Sequence, residues 1–116
     1  MSFLQILEKI NSYDIILASA SSRRQHLLRE IGIKFRTAPY AEIDEVYPGG
    51  MDPYEIPVYL AQKKASHYHD MLHGKSLIIA ADTIVWFEKQ VMPKPRDTDT
   101  AKDMLRKLSG RMHEVI

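Results

Sequence analysis

Residues 15–24 read IILASASSRR, and they change from an apolar run to small and then basic residues. The apolar, β-branched start of this stretch predicts a short buried strand over Ile15–Ser19. A helix is expected to follow, with Ser21 or Ser22 as its N-cap and Gly32 as its C-terminal stop. The chain is therefore expected to pass directly from a buried strand into an amphipathic helix.

The junction between this strand and this helix has the features of an anion site. Five consecutive residues no larger than serine, Ala18–Ser22, let a ligand approach the backbone, and a helix start supplies free N–H donors. Arg23 and Arg24 fall in the first helical turn, where the helix dipole disfavours cations, which suggests an anion between them. Neither the Walker A pattern nor the dinucleotide glycine pattern is present. The alternative is that the serines only cap the helix and both arginines are solvated.

The rest of the chain alternates helical and strand patterns. The first half of the sequence predicts a helix ending near Asn11, a strand over Ile33–Thr37, a loop over Pro39–Pro53 and a helix from about Pro57 to about Asp70. The second half predicts a strand-like segment over Leu77–Phe87, a hairpin turn into Val91-Met92, irregular chain to Pro95, a helix capped by Thr98 or Asp99 that runs to Leu108, and a strand from Met112. In the last helix, Met104, Leu105 and Leu108 are expected to face inward. This order favours an α/β fold, a mixed twisted sheet flanked by helices, in one domain over residues 1–116. The last strand pattern is cut short at Ile116, so a truncated chain is expected.

Composition excludes several classes of protein. The 116 residues carry a net charge of +1 and no cysteine, which excludes disulfide scaffolds, zinc–thiolate sites and thiol nucleophiles and suits a reducing cytoplasm. The longest apolar run, Leu77–Ala81, is far too short to span a bilayer, and the N-terminus lacks the pattern of a secretory signal. A balanced net charge gives no global attraction to nucleic acid or to an anionic membrane.

Asp82 is the second candidate for chemistry. It interrupts an apolar, strand-like segment, where an ionised carboxylate is costly unless it is paired, hydrogen-bonded or bound to metal. One interpretation is a general base or a metal ligand at a strand end. The other is a break in the strand at Asp82-Thr83 that exposes the side chain.

Acidic and basic residues elsewhere are weaker candidates. Asp44-Glu45 lies in the proline-rich loop, where adjacent acids are usually solvated, and Lys94 is held between two prolines. Lys63 and Lys64 point about 100° apart on a helix, so at most one of them faces a given pocket. Three histidines near residue 70 lack the H-E-x-x-H arrangement and are interpreted as a solvated helix end.

Six blocks in this order resemble the Maf family of nucleoside triphosphate pyrophosphatases, also called septum formation inhibitor proteins. The blocks are Leu17-Ala18-Ser19-Ala20-Ser21-Ser22-Arg23-Arg24, Ile43-Asp44-Glu45, Leu60-Ala61-Gln62-Lys63-Lys64-Ala65, Ala80-Ala81-Asp82-Thr83, Lys94-Pro95, and Leu108-Ser109-Gly110-Arg111-Met112-His113-Glu114-Val115. The resemblance runs from Ile15 to the C-terminus and implies a Maf/ITPase-like fold. It departs from the family at Ser22, where proline is usual, and at Pro93, where glycine is usual.

The resemblance also implies an activity and a cofactor. The expected reaction is hydrolysis of a nucleoside triphosphate to the monophosphate and pyrophosphate, with Mg²⁺ or Mn²⁺. Arg24 and Thr83 occupy the positions that distinguish the branch similar to dTTP/UTP pyrophosphatases. The family normally continues well past Ile116, which agrees with the expected truncation.

The resemblance implies a role for each candidate residue. Phosphate-binding positions are implied for Ser19, Arg23, Arg24, Lys64 and Lys94. Glu45 is expected to hold the metal, with Asp82 as a second ligand, and Asp82 is expected to accept the proton from the attacking water.

Two other functions stay open at the level of sequence. The first is a nucleotide-binding regulator of cell division that does not turn over its ligand. The second, weaker one is nucleic-acid binding through the arginine and lysine clusters, which the balanced charge disfavours. Pairing of two chains as a homodimer is left open.

Overall fold

A computed structural model describes residues 1–116, and its first sheet contains three parallel strands. The strands are β1 (Asp14–Leu17), β2 (Arg36–Thr37) and β3 (Ser76–Ile79), in the order β2-β1-β3. Ile16 pairs with Arg36 on one side and with Ile78 on the other, so β1 is central. Its residues Ile15, Ile16 and Leu17 are almost completely buried, as an apolar run inside a parallel sheet should be.

A second sheet is antiparallel and contains the strands β4 (Val85–Phe87), β5 (Gln90–Met92) and β6 (Glu114–Val115), in the order β5-β4-β6. A two-residue turn joins β4 to β5, with Glu88 and Lys89 both at positive φ, the geometry that matches the twist of a hairpin. The predicted α/β class and the predicted hairpin are thus confirmed, and the strands form two small sheets.

The segment predicted as one strand over Leu77–Phe87 is interrupted. Residues 80–84 leave the first sheet after Ile79, and the chain enters the second sheet at Val85. Ile84 already bonds to Ile116 through both backbone groups at 2.9 Å. A break at Asp82-Thr83 was one of the two interpretations of the sequence, but its extent over residues 80–84 was not predicted, because the apolar residues on its two sides belong to different sheets.

The chain also forms four helices. They are α1 (Phe3–Asn11), α2 (Ser22–Glu30), α3 (Ile56–His67) and α4 (Thr98–Leu108), and a 3₁₀ turn over His69–Met71 follows α3. Ser21 caps α2 through Arg24 N–H, and Asp97 caps α4 through Thr100 N–H. The prediction that Leu105 faces inward is wrong: its side chain is mostly exposed, whereas Met104 and Leu108 line a cavity.

Burial is concentrated in two places. The first is β1, and the second is a cluster in which Ile56 and Leu60 of α3 pack against Ile84. The molecule is elongated, 47 × 28 × 28 Å, and its radius of gyration of 17.0 Å exceeds the value of about 13 Å for a compact chain of this length. None of the helices combines the length and the apolar character needed to cross a bilayer.

Candidate functional site

Three chain segments leave the parallel sheet at the carboxyl ends of its strands. The hydrogen bond from Ala18 N–H to Ile79 O (2.8 Å) holds the chain after β1 against the end of β3. The hydrogen bond from Ala38 N–H to Leu17 O (2.9 Å) does the same for the chain after β2. The small-residue loop, the long acidic loop and the segment around Asp82 are therefore brought to one edge, where open α/β sheets usually bind ligands.

The small-residue loop is ordered by its own serines. Ser19 Oγ accepts a hydrogen bond from Ser21 N–H at 3.1 Å, and Ser21 Oγ accepts one from Arg24 N–H at 3.2 Å. Because Ala18 and Ser19 leave the sheet directly before the start of α2, the first turn of this helix opens toward the sheet edge. The predicted strand–loop–helix geometry is confirmed.

Arg24 joins this loop to the interrupted segment. Its guanidinium donates to Ser19 Oγ (3.4 Å) through Nη1 and to Thr83 Oγ1 (3.0 Å) through Nη2. Ser19 lies five residues before Arg24 in the sequence, and Thr83 lies 59 residues after it. This one side chain therefore connects distant parts of the chain. Arg23 is exposed and lines neither cavity described below, and its implied phosphate contact stays a prediction.

The side chain of Asp82 is buried although its strand is interrupted. Only 4% of its side chain is exposed, and Lys64 Nζ, itself 19% exposed, lies 3.3 Å from Asp82 Oδ1. The same Oδ1 accepts a hydrogen bond from Thr83 N–H at 2.8 Å, whereas the buried Oδ2 has no partner. The expectation that a break in the strand would expose Asp82 is therefore wrong, and one carboxylate oxygen is free for an incoming group.

Two adjoining cavities surround these residues. A groove of about 580 Å³ contains Ser19, Arg24 and Lys64, and a smaller cavity of about 210 Å³ contains Asp82 and Thr83. Glu45 and Lys94 line both cavities, and their side chains lie 3.5 Å apart. Seven of the eight predicted site residues thus line one continuous region; Arg23 is the exception.

Side chains of α3 hold the long loop beside the groove. Lys63 pairs with Asp44 and donates to Val46 O at 3.1 Å, whereas its neighbour Lys64 turns to Asp82. The hydrogen bond from Lys63 keeps the pKa of Asp44 below its usual value. The prediction that the two lysines diverge is confirmed, and Asp44 is a loop anchor.

Several residues that line the groove were not singled out in the sequence, among them two tyrosines and one glutamate. Tyr40 and Glu42 line the groove from the long loop, and Tyr68 lines it from the end of α3 while its hydroxyl donates to Pro39 O at 2.6 Å. Their places depend on how the loop folds against α3. No local motif marks them, so sequence spacing alone could not have found them.

The carboxylates fit a divalent cation that also contacts a bound phosphate. Glu45 and Asp82 line the same cavity, and Asp82 Oδ2 is a buried oxygen without a partner. Mg²⁺ prefers oxygen ligands and is commonly held by one or two carboxylates together with substrate phosphates, so a third protein ligand is not required. No group of three or more His, Cys, Asp or Glu side chains is assembled here. His73 instead contacts Asp14 at 3.0 Å, far along β1 from the site.

The chain is similar to known proteins of one family. A family model described as "Maf-like protein" matches residues 14–116. A dTTP/UTP pyrophosphatase of Phocaeicola vulgatus is 48% identical over 96% of this chain and 58% of its own length. Similar proteins of the same name occur in Porphyromonas gingivalis (41% identity, 96% of this chain and 57% of the relative) and Cytophaga hutchinsonii (48%, 95% and 50%). The chain thus spans about half the length of the curated relatives it matches.

Proposed function

Since the chain belongs to the Maf-like family, we propose that it acts as a nucleoside triphosphate pyrophosphatase on dTTP, UTP or related modified nucleotides. The relatives named as dTTP/UTP pyrophosphatases support this substrate class. The single observation that carries the proposal is Asp82, which lines a cavity adjoining a cation-lined groove and has a buried carboxylate oxygen, Oδ2, without a hydrogen-bond partner.

The charges of the groove suit a triphosphate, which carries close to four negative charges at neutral pH. Arg24 and Lys94 present cationic groups to the groove, and Ser19 adds a hydroxyl at the opening of α2. Because positioning and electrostatic stabilisation supply most of the catalysis in phosphoryl transfer, these groups would hold the phosphates and stabilise charge on the departing pyrophosphate.

Asp82 would act on the attacking water. The water oxygen forms a bond to the α-phosphorus, and the bond from that phosphorus to the bridging oxygen breaks, releasing pyrophosphate. The proton lost by the water passes to Asp82 Oδ2, the carboxylate oxygen that has no other partner. The products are the nucleoside monophosphate and pyrophosphate.

Glu45 would hold the divalent cation, Mg²⁺ or Mn²⁺, together with the substrate phosphates. The second-ligand role implied for Asp82 would compete with proton transfer, because both need Oδ2, the one oxygen of that carboxylate without a partner. Such an ion, when bound, polarises phosphoryl oxygens and lowers the pKa of a bound water. The Glu45 carboxylate now lies beside Lys94. We propose that a bound phosphate takes Lys94 and so leaves Glu45 free for the ion.

A cytoplasmic location is part of the proposal, because the substrate is a dissolved nucleotide and a chain without cysteine suits a reducing compartment. The partner is a single nucleotide, not a nucleic acid. The proposal requires one chain only, so a homodimer is a separate question of assembly.

Product analysis tests the proposed function. Purified protein is incubated with dTTP or UTP and Mg²⁺ or Mn²⁺, and the expected products are dTMP or UMP and pyrophosphate. Release of orthophosphate and dTDP, or no turnover with any nucleoside triphosphate, would contradict it. Calorimetry on the same samples tests the second candidate, since tight nucleotide binding without product would favour a regulator that does not turn over its ligand.

A further inference from the structure

Lys64 contacts the carboxylate of Asp82, although the family resemblance places Lys64 on the phosphates. Its Nζ lies 3.3 Å from Asp82 Oδ1, and both side chains are largely shielded from solvent, with 19% and 4% exposed. By contrast, 76% of the Lys94 side chain is exposed. Lys64 is therefore less available to a ligand from solution than Lys94 is.

Burial makes this contact consequential. An isolated carboxylate is costly to remove from water, and a nearby ammonium offsets that cost only when the geometry is held by further hydrogen bonds. Thr83 N–H supplies such a bond to Oδ1 at 2.8 Å, and Arg24 holds Thr83 in turn through its hydroxyl at 3.0 Å. Oδ1 therefore has two donors and a fixed direction, whereas Oδ2 has none.

We infer that Lys64 is a positioning residue that acts through Asp82, fixing Oδ1 so that Oδ2 alone is presented to the attacking water. This inference rests on the proposed function. The phosphates are held by Arg24 and Lys94, with Ser19 at the helix start, and Lys64 contributes to the rate and not to nucleotide affinity.

A kinetic comparison separates the two roles. Lys64→Met is expected to lower kcat for dTTP by about 30-fold or more, a part of the 10²–10⁴-fold contribution of a general base, while KM changes less than about threefold. Lys64→Arg keeps a cation against Oδ1 and is expected to restore most of kcat. Lys107→Met is the matched control, because Lys107 is an exposed lysine of α4 that lines neither cavity; its kcat is expected to change less than about threefold.

A comparison of two variants that lack the proton acceptor measures affinity without turnover. Dissociation constants for dTTP with Mg²⁺ are determined by calorimetry for Asp82→Asn and for Asp82→Asn combined with Lys64→Met. If Lys64 acts through Asp82, the second substitution leaves the affinity within about threefold. If Lys64 binds phosphate, the affinity falls about tenfold or more, and the inference is overturned.

Stability provides the remaining control. Removing Lys64 alone leaves a buried carboxylate unpaired and can unfold the protein, whereas the double variant removes both charges and keeps the affinity measurement usable. A protein that hydrolyses dTTP but whose Lys64→Met variant keeps its kcat contradicts this inference alone. An unsubstituted protein that neither binds nor hydrolyses any nucleoside triphosphate contradicts the proposed function, and this inference with it.

Discussion

The two carboxylate oxygens of the residue Asp82 have different surroundings. Its Oδ1 is satisfied by Lys64 and by Thr83 N–H, and its Oδ2 is buried without a partner. Buried polar atoms are nearly always hydrogen-bonded, so an exception at the edge of a cavity points to a missing ligand or reactant more than to a packing role.

The substitution Asp82→Asn tests whether this carboxylate accepts the proton of the attacking water. Asparagine keeps the shape and can still accept from Thr83 N–H, but it cannot accept the proton of water, so kcat for dTTP is expected to fall by about 100-fold or more. Steady-state kinetics measures the loss, and circular dichroism checks that the fold is retained. A variant with the full rate would remove Asp82 as the proton acceptor.

The substitution Arg24→Lys tests the hydrogen bonds that the guanidinium of Arg24 donates to Ser19 and Thr83. A lysine has no planar fork with which to reach Ser19 and Thr83 together, so KM for dTTP is expected to rise about tenfold while the chain stays folded. Thr83→Val is the companion variant, since it removes only the acceptor for Nη2 and keeps the side-chain shape. An unchanged KM in Arg24→Lys would mean that the bridge does not serve the substrate.

At the scale of elements, α1 is joined to the family domain at the end of α2. Asn11 donates to Gly32 O at 2.9 Å and accepts from Lys34 N–H at 2.9 Å. Gly32 has φ +88°, and a Cβ added there would lie 2.9 Å from Leu7 Cδ2. The end of α2 and the docking of α1 therefore require the same glycine.

Gly32→Ala is expected to lower the free energy of unfolding by about 1–3 kcal/mol, because alanine is strained at this φ and meets Leu7. Urea titration at neutral pH measures the change. Gly49→Ala is the control, since a Cβ there meets open space, and it is expected to change stability by less than about 0.5 kcal/mol. Equal effects from both substitutions would contradict the packing argument.

The cap of α4 predicts a dependence on pH. The hydrogen bond from Thr100 N–H lowers the pKa of Asp97 from its ordinary value of 3.8. A lowered folded-state pKa adds stability above the unfolded-state pKa, and this stability is lost as the pH falls through the folded-state value. Asparagine caps a helix about as well but does not titrate.

Asp97→Asn should therefore be less stable than the unsubstituted protein at pH 6, and the difference should shrink as the pH falls from 5 to about 3. Urea unfolding of both proteins across this range measures it. A difference that stays constant with pH would mean that the charge of Asp97 does not contribute.

Elements differ in how far the sequence predicted them. The small-residue loop and the start of α2 were predictable because capping and chain-direction signals are local, within residues 18–24. A break at Asp82-Thr83 was one of two interpretations, but its start directly after Ile79 was not predictable, because apolar residues continue on both sides of it. The contact between Lys64 and Asp82 depends on how α3 packs on Ile84, which no periodicity encodes, and the exposure of Leu105 likewise depends on which face of α4 meets a neighbour.

At the scale of the whole molecule, the site joins two sheets that are otherwise separate. The parallel sheet contributes the Ser19 loop, the antiparallel sheet begins just after Thr83, and Arg24 joins the two. Lys94 follows β5 of the second sheet, and Glu45 belongs to the loop after β2 of the first sheet. A ligand that contacts residues from both sheets would add interactions between these two parts of the elongated molecule and so stabilise the folded chain.

Nucleotide binding is therefore expected to stabilise the whole chain. A ligand at 100 times its dissociation constant adds about 2.7 kcal/mol to the free energy of unfolding when it binds only the folded state. Urea titration with and without dTTP and Mg²⁺ measures this gain, with Asp82→Asn used so that the nucleotide is not consumed.

Thymidine is the matched control: because it lacks the phosphates that Arg24 and Lys94 would bind, the same concentration should give little stabilisation. Equal gains from thymidine and dTTP would place the affinity in the nucleoside and contradict a groove organised around phosphate. A gain confined to dTTP would show that the folded chain binds the nucleotide through its phosphates.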